Sequence, residues 1–135
     1  MDADENVIAI GVDADIVTAR QVGRTLAVKM GFSSSEQIFI ATAISEAARN
    51  IIQYAGTGEV VVSQIKDNNG KRGIMIIARD RGPGIQDVAR AMEDGYSSSG
   101  GLGLGLPGIR RLMSEVQVES APGKGTTVTI KKWKS

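Results

Sequence analysis

The sequence predicts an α+β fold, a two-layer sandwich in which helices cover one face of a mixed, mostly antiparallel sheet. Three observations predict it. Two long stretches of helical spacing, Asp13–Met30 and residues 33–54, come early. Four short β-rich runs follow as two pairs, each joined by a turn-forming cluster. A glycine-rich segment with further helical stretches separates the pairs. The order β-α-α-β-β-α-β-β gathers helices on one sheet face instead of alternating them across a parallel sheet. At 135 residues the chain suits one domain with a real core and is too short for two, so residues 1–135 are expected to form a single domain.

Each element has a local signature. NVIAIGV (6–12) alternates like a short strand. In the first helix Ile16, Ala19, Val22, Leu26 and Met30 recur at helical spacing, and Gly31 closes it. Ser33 and Glu36 form an S-x-x-E capping box that opens the second helix, which runs to about Tyr54. EVVVSQI (59–65) and GIMIIAR (73–79) are joined through DNNG, an Asn-Gly hairpin signal. Residues 86–93 read as a further helical stretch, and another ends near Met113. EVQVES (115–120) and TTVTIKKW (126–133) form the last pair, around Pro122-Gly123-Lys124-Gly125.

Composition narrows the chemistry. The chain is 41% hydrophobic and 23% charged, which is ordinary for a folded protein. A net charge of +1 gives no nucleic-acid footprint. Cysteine and histidine are absent, so thiolate metal sites, disulfides, histidine ligands and histidine-based triads are excluded. The acidic MDADENV start lacks a signal pattern, and no apolar run reaches spanning length, so a soluble cytoplasmic protein is expected. Any chemistry must use carboxylates, amides, hydroxyls, Lys, Arg or backbone groups.

Three segments carry that chemistry. In SEAARNIIQYA (45–55), Ile40, Ala41, Ile44, Ala47, Ala48, Ile51 and Ile52 share one helix face, and Thr42, Glu46, Arg49, Asn50 and Gln53 the opposite one. Glu46 and Asn50 are four apart and so adjacent, a carboxylate beside a carboxamide that suits Mg²⁺ ligation and orientation of a nucleophile. Alone, the pattern better fits an amphipathic helix turned to water. In RDRGPGI (79–85), Asp80 ends a strand beside Gly82 and Gly84; a carboxylate there can accept from an exocyclic amine, although D-x-G-x-G is also a plain turn. In GGLGLGLPGI (100–109), Gly100, Gly101, Gly103, Gly105 and Gly108 precede a helix with Pro107 in its first turn, an arrangement that can aim amides and a helix N-terminus at phosphate, although a glycine run is also a plain flexible loop. It is not a Walker P-loop, since neither Gly-Lys pair is followed by Ser or Thr.

Together and in this order, EAARN, DRGPGI, GGLGLGLPG and GKGTT (123–127) resemble the N box, the two glycine boxes and the last conserved element of the GHKL (Bergerat-fold) ATP-binding superfamily, which includes gyrase B, Hsp90, MutL and histidine kinases. Glu46 at the head of the N box is similar to the stand-alone anti-sigma serine kinases. RNIIQYAGTGEV and MEDGYSSSGGLGLGLPGIRRLM, with Tyr54 where anti-sigma kinases often carry His, resemble the RsbT-type switch kinases of bacterial stressosomes.

The resemblance implies a cytoplasmic serine/threonine protein kinase that uses ATP and Mg²⁺. Its partners would be STAS-domain antagonist or scaffold proteins as phosphoacceptors, and a phosphatase that it activates on release. It implies Glu46 as the general base, Asn50 as the Mg²⁺ ligand, Asp80 on the adenine amine and Gly84 under the ring. Gly82, Gly101, Gly103, Leu104 and Gly105 would complete the nucleotide loops, with Leu102, Leu104 and Leu106 pinning a closed lid, and Thr126 would support the adenine. Arg49, Arg81, Arg110 and Arg111 are candidate cations for the γ-phosphate, and Arg20, Arg24 and Lys29 mark a possible docking face on the first helix. The alternatives are an anti-sigma kinase that also binds a sigma factor, a nucleotide-gated binding module without kinase activity, and a detached histidine-kinase catalytic domain.

Overall fold

The computed structural model describes residues 5–82, 109, 113–121 and 123–134. Its elements are β1 (Asn6–Ile10), α1 (Asp13–Met30), α2 (Ser34–Ala55), β2 (Gly58–Lys66), β3 (Arg72–Asp80), β4 (Glu115–Ser120) and β5 (Thr126–Trp133). The strands form one sheet in the order β1-β2-β3-β5-β4, and each neighbouring pair is antiparallel. The expected helix at 86–93 lies outside the described residues.

Helix ends have local causes. The backbone amides of Gly11 and Val12 donate to Asp15 Oδ2 at 2.9 and 3.0 Å, so these two residues cap α1 instead of extending β1 to residue 12. Gly31 closes α1 at φ +84°, a left-handed conformation that leaves the amides of Gly31 and Phe32 donating to the last carbonyls of the helix. The expected capping box opens α2: Ser33 Oγ accepts from the Glu36 amide at 3.2 Å, and the Ser33 amide donates to Glu36 Oε1 at 3.1 Å. The β2–β3 connection is wider than a two-residue Asn-Gly turn, because Asn69 does not adopt the positive φ that such a turn needs. Asp67 Oδ1 instead accepts from the amides of Asn69 and Lys71, both at 2.8 Å, and closes a longer loop.

Strand alternation lays cross-strand rows on the sheet face beneath α1 and α2. One row is Ile8–Val60–Ala78–Val128–Val118; the next is Val62–Ile76–Ile130–Val116. Ile16, Leu26 and Met30 of α1 and Ile40, Ile44 and Ile51 of α2 pack onto them as one core. Where the helices meet, Gly23 is buried while Val22 is only partly so. A Cβ at Gly23 would stand 2.0 Å from Ile44 Cδ1, so a glycine is what lets the helices approach. Gly23→Val is therefore expected to lower unfolding free energy by about 1–3 kcal/mol through overpacking, despite its gain in helix propensity. Urea denaturation checks this; unchanged stability would mean that Ile44 turns aside at no cost.

Candidate functional site

Glu46 and Asn50 lie one turn apart on α2, as their spacing dictates, but they do not form a water-facing stripe. Asn50 is half-buried and Glu46 is 1% exposed. Arg20 and Arg24 of α1 join Ile38, Thr42, Ser45 and Arg49 of α2 around a cavity of about 260 Å³ with Glu46 in its wall. The face that a single-helix projection marks as polar is thus partly covered by a second helix. Glu46 Oε1 accepts from Arg49 Nη1 at 3.0 Å. Glu46 Oε2 is buried and has no hydrogen-bond partner among the described residues. A buried acceptor in that state is costly, and it suits a proton arriving from elsewhere. Arg20 and Arg24, candidates for a docking face, are exposed and also line this cavity.

The second cluster is built by the sheet. Asp80 is in phase with Ile74, Ile76 and Ala78, so it falls on the core face at the end of β3. It belongs to a third row, Ile10–Gly58–Asp80–Thr126–Ser120, where the apolar pattern gives way to polar and small residues. The far end of α2 leans on this row. A Cβ at Gly58 would meet Ile51 Cγ2 at 2.8 Å, and one at Gly82 would meet Ala55 Cβ at 2.6 Å. Asp80 Oδ1 accepts from the Gly82 amide at 2.9 Å, so the turn suggested by the sequence is present around the candidate ligand group. Ser120 Oγ donates to the Gly125 carbonyl at 3.0 Å and lies 2.8 Å from Thr126 Oγ1. A hydroxyl has one proton, so Thr126 donates in that second bond and keeps acceptor capacity. Gly125, at φ +80°, brings the start of β5 so close that a Cβ would stand 2.2 Å from the Asp80 carbonyl oxygen.

The structure therefore places Glu46 with Asn50 on α2, and Asp80 with Gly82 and Thr126 at one strand end, with α2 reaching both groups. Gly84, Gly101, Gly103, Leu104 and Gly105 lie outside the described residues, as do Arg110 and Arg111. Arg81 is exposed. Beyond the glycine run, Ile109 and Met113 are buried in the core, and the Met113 amide donates to the Ile109 carbonyl at 3.0 Å, one helical turn. Ser120 and Gly58 were not singled out from sequence; the alternation of β4 and β2 held the signal. Asn50 carries a carboxamide oxygen, the donor type that Mg²⁺ takes, and no cluster of three or more carboxylates gathers among the described residues. No helix among the described residues is long and apolar enough to cross a membrane.

The family of histidine kinase-, DNA gyrase B- and HSP90-like ATPases matches residues 35–135. The chain is 51% identical to serine/threonine-protein kinase RsbT of Bacillus subtilis (strain 168) over 130 residues, 96% of this chain and 97% of that one. It is 32% identical to the anti-sigma F factor of Thermoanaerobacter sp. (strain X514) over 118 residues, 85% of this chain and 82% of that one. Its fold is similar to the RsbU and RsbW domains of a Mycobacterium tuberculosis protein, with a TM-score of 0.58 at 23% identity, over 96% of this chain and 33% of that one. It is also similar to the SiaB–SiaC complex of Pseudomonas aeruginosa, with a TM-score of 0.58 at 13% identity, over 96% of this chain and 89% of that one. With half its positions shared along nearly the whole length of RsbT, the chain belongs to the histidine kinase-, DNA gyrase B- and HSP90-like ATPases, among their serine/threonine kinases of the RsbT kind.

Proposed function

We propose that this chain transfers the γ-phosphoryl group of ATP to a Ser or Thr of a STAS-domain partner, in a cytoplasmic partner switch of bacterial stress signalling. On release from that partner it would bind and activate a phosphatase. The observation that carries the kinase reading is the buried, half-paired carboxylate of Glu46, one turn from Asn50. The acceptor O–H bond breaks and its proton passes to Glu46 Oε2. The acceptor oxygen bonds to the γ-phosphorus as the bond from phosphorus to the bridging oxygen breaks, and that electron pair leaves with ADP. Positioning and charge neutralisation account for most of such a transfer.

The remaining roles are those that the family resemblance implies. Asp80 accepts from the adenine amine, Gly82 holds the turn beside it against Ala55, Gly84 lies under the ring, and Thr126 supports it from across the sheet. Gly101, Gly103, Leu104 and Gly105 form the phosphate cradle. Asn50 holds Mg²⁺, which when bound neutralises phosphate charge. Asn50→Ala is expected to weaken Mg²⁺-dependent ATP binding about 10- to 100-fold, through the loss of one oxygen ligand of the metal. Calorimetry with and without Mg²⁺ checks it; equal binding by variant and wild type would remove Asn50 from the site.

The decisive assay offers γ-labelled ATP and purified STAS-domain proteins to the chain. Acid-stable label on a partner is expected. Acid-labile label would mean phosphohistidine and a histidine-kinase domain. The 32% identity to anti-sigma F factors favours a second reading, a nucleotide-gated binder of a sigma factor or other protein. Capture of a partner with ATP but not ADP, without phosphorylated product, would select it.

A further inference from the structure

The two oxygens of Glu46 are in different states. Oε1 accepts from Arg49 Nη1 at 3.0 Å, and Oε2, equally enclosed, has no partner among the described residues. A guanidinium paired with a carboxylate for stability commonly makes two parallel bonds, one to each oxygen. This contact is one-sided. Arg49 stands one helical turn beyond Glu46 on α2, so the backbone of a single rigid element fixes the pair. The Glu46 side chain is 1% exposed and that of Arg49 30%, which leaves the carboxylate inside and the guanidinium spanning the cavity wall toward water. Arg20 and Arg24 line the same cavity from α1, yet neither pairs with Glu46 among the described residues.

We infer that Arg49 is a positioning residue for phosphoryl transfer: by holding Oε1 it fixes the Glu46 side chain in one orientation and leaves Oε2 as the oxygen presented to the acceptor hydroxyl. The inference rests on the reading of Glu46 as the base. A carboxylate free to rotate would divide its time between orientations, and a misplaced base loses rate steeply. Arg49 also supplies the counter-charge that a buried carboxylate needs. Its removal therefore acts on the transfer step, while the nucleotide cluster at Asp80 and Thr126 is untouched.

The test is a double-mutant cycle on the full chain, with γ-labelled ATP and the STAS-domain acceptor found in the transfer assay. Arg49→Gln should lower kcat about 10- to 100-fold, with KM for ATP and for the acceptor within about threefold of wild type. Arg49→Lys keeps the cation at shorter reach and should recover at least about a third of the rate. Arg49→Gln added to Glu46→Gln should cost nothing further, because residues acting as one unit are not additive. Additive losses, a rise in acceptor KM at constant kcat, or an unchanged rate in Arg49→Gln would each overturn the inference. If Arg49→Gln does not fold, Arg49→Lys and the charge-free double variant carry the cycle. Wild-type transfer by Glu46→Gln would instead defeat the base itself, so the two failures are distinguishable.

Discussion

Glu46→Gln should reduce phosphoryl transfer by about a thousandfold and leave ATP affinity within about threefold of wild type, the range expected when a general base is lost and substrate contacts are kept. The change is nearly isosteric. The amide oxygen can still accept from Arg49 at the Oε1 position, and an amide nitrogen takes the place of Oε2. That nitrogen donates where a proton must be accepted, so the acceptor hydroxyl meets a donor. Folding should be spared, because a buried charge is replaced by a neutral group. Arg49, 30% exposed, can turn its charge to water. The thermal midpoint should therefore stay within a few degrees of wild type. Steady-state transfer, ATP calorimetry and a thermal melt on one preparation settle the matter. Retained transfer would remove Glu46 from the chemistry, and joint loss of binding and stability would make it a structural residue.

That Glu46 is buried could not be read from α2 alone. The helical projection is correct about which residues share a face, since Ile40, Ala41, Ile44, Ala47, Ala48 and Ile51 all enter the buried set. It carries no knowledge of a second helix, and α1 brings Arg20 and Arg24 to the cavity that Glu46 also lines. Gly23 shows the same limit: its burial depends on where Ile44 of α2 arrives, while Val22 fits the periodic pattern better. Features whose physics is local were legible. Gly31 at its left-handed C-cap and the reciprocal bonds of Ser33 and Glu36 depend on neighbours within a few residues, and the structure has both as expected. The hairpin partners β2–β3 and β4–β5 were equally plain, being adjacent in the chain. The pairing of β3 with β5 was not, because residues 81–125 separate them. That pairing sets Thr126 beside Asp80, so from sequence Thr126 entered only through the family resemblance.

The nucleotide end of the site gives the second large effect. Asp80→Asn should weaken ATP binding about 30- to 150-fold, the equivalent of roughly 2–3 kcal/mol for a hydrogen bond to a charged group replaced by an unmatched donor. The variant separates the turn bond of Asp80 from the adenine contact proposed for it. Asn is as favourable as Asp in the turn, and its carbonyl oxygen can accept from the Gly82 amide as Asp80 Oδ1 does at 2.9 Å. The amide nitrogen must then occupy the other position, where it points a donor at the donating amine of adenine. Stability should hold, since Gly82 stays seated against Ala55 and Thr126 keeps its bond to Ser120 across the sheet. Asp80→Ala, which removes the turn bond as well, should lose both affinity and stability. A further consequence concerns the base: guanine carries a carbonyl where adenine carries its amine, so the donor in Asp80→Asn should narrow the preference for ATP over GTP. Calorimetry with both nucleotides reads this directly. Unchanged ATP affinity in a folded Asp80→Asn protein would mean that the carboxylate serves only the turn, and the adenine would have to be sought elsewhere along the row that runs from Gly58 to Ser120.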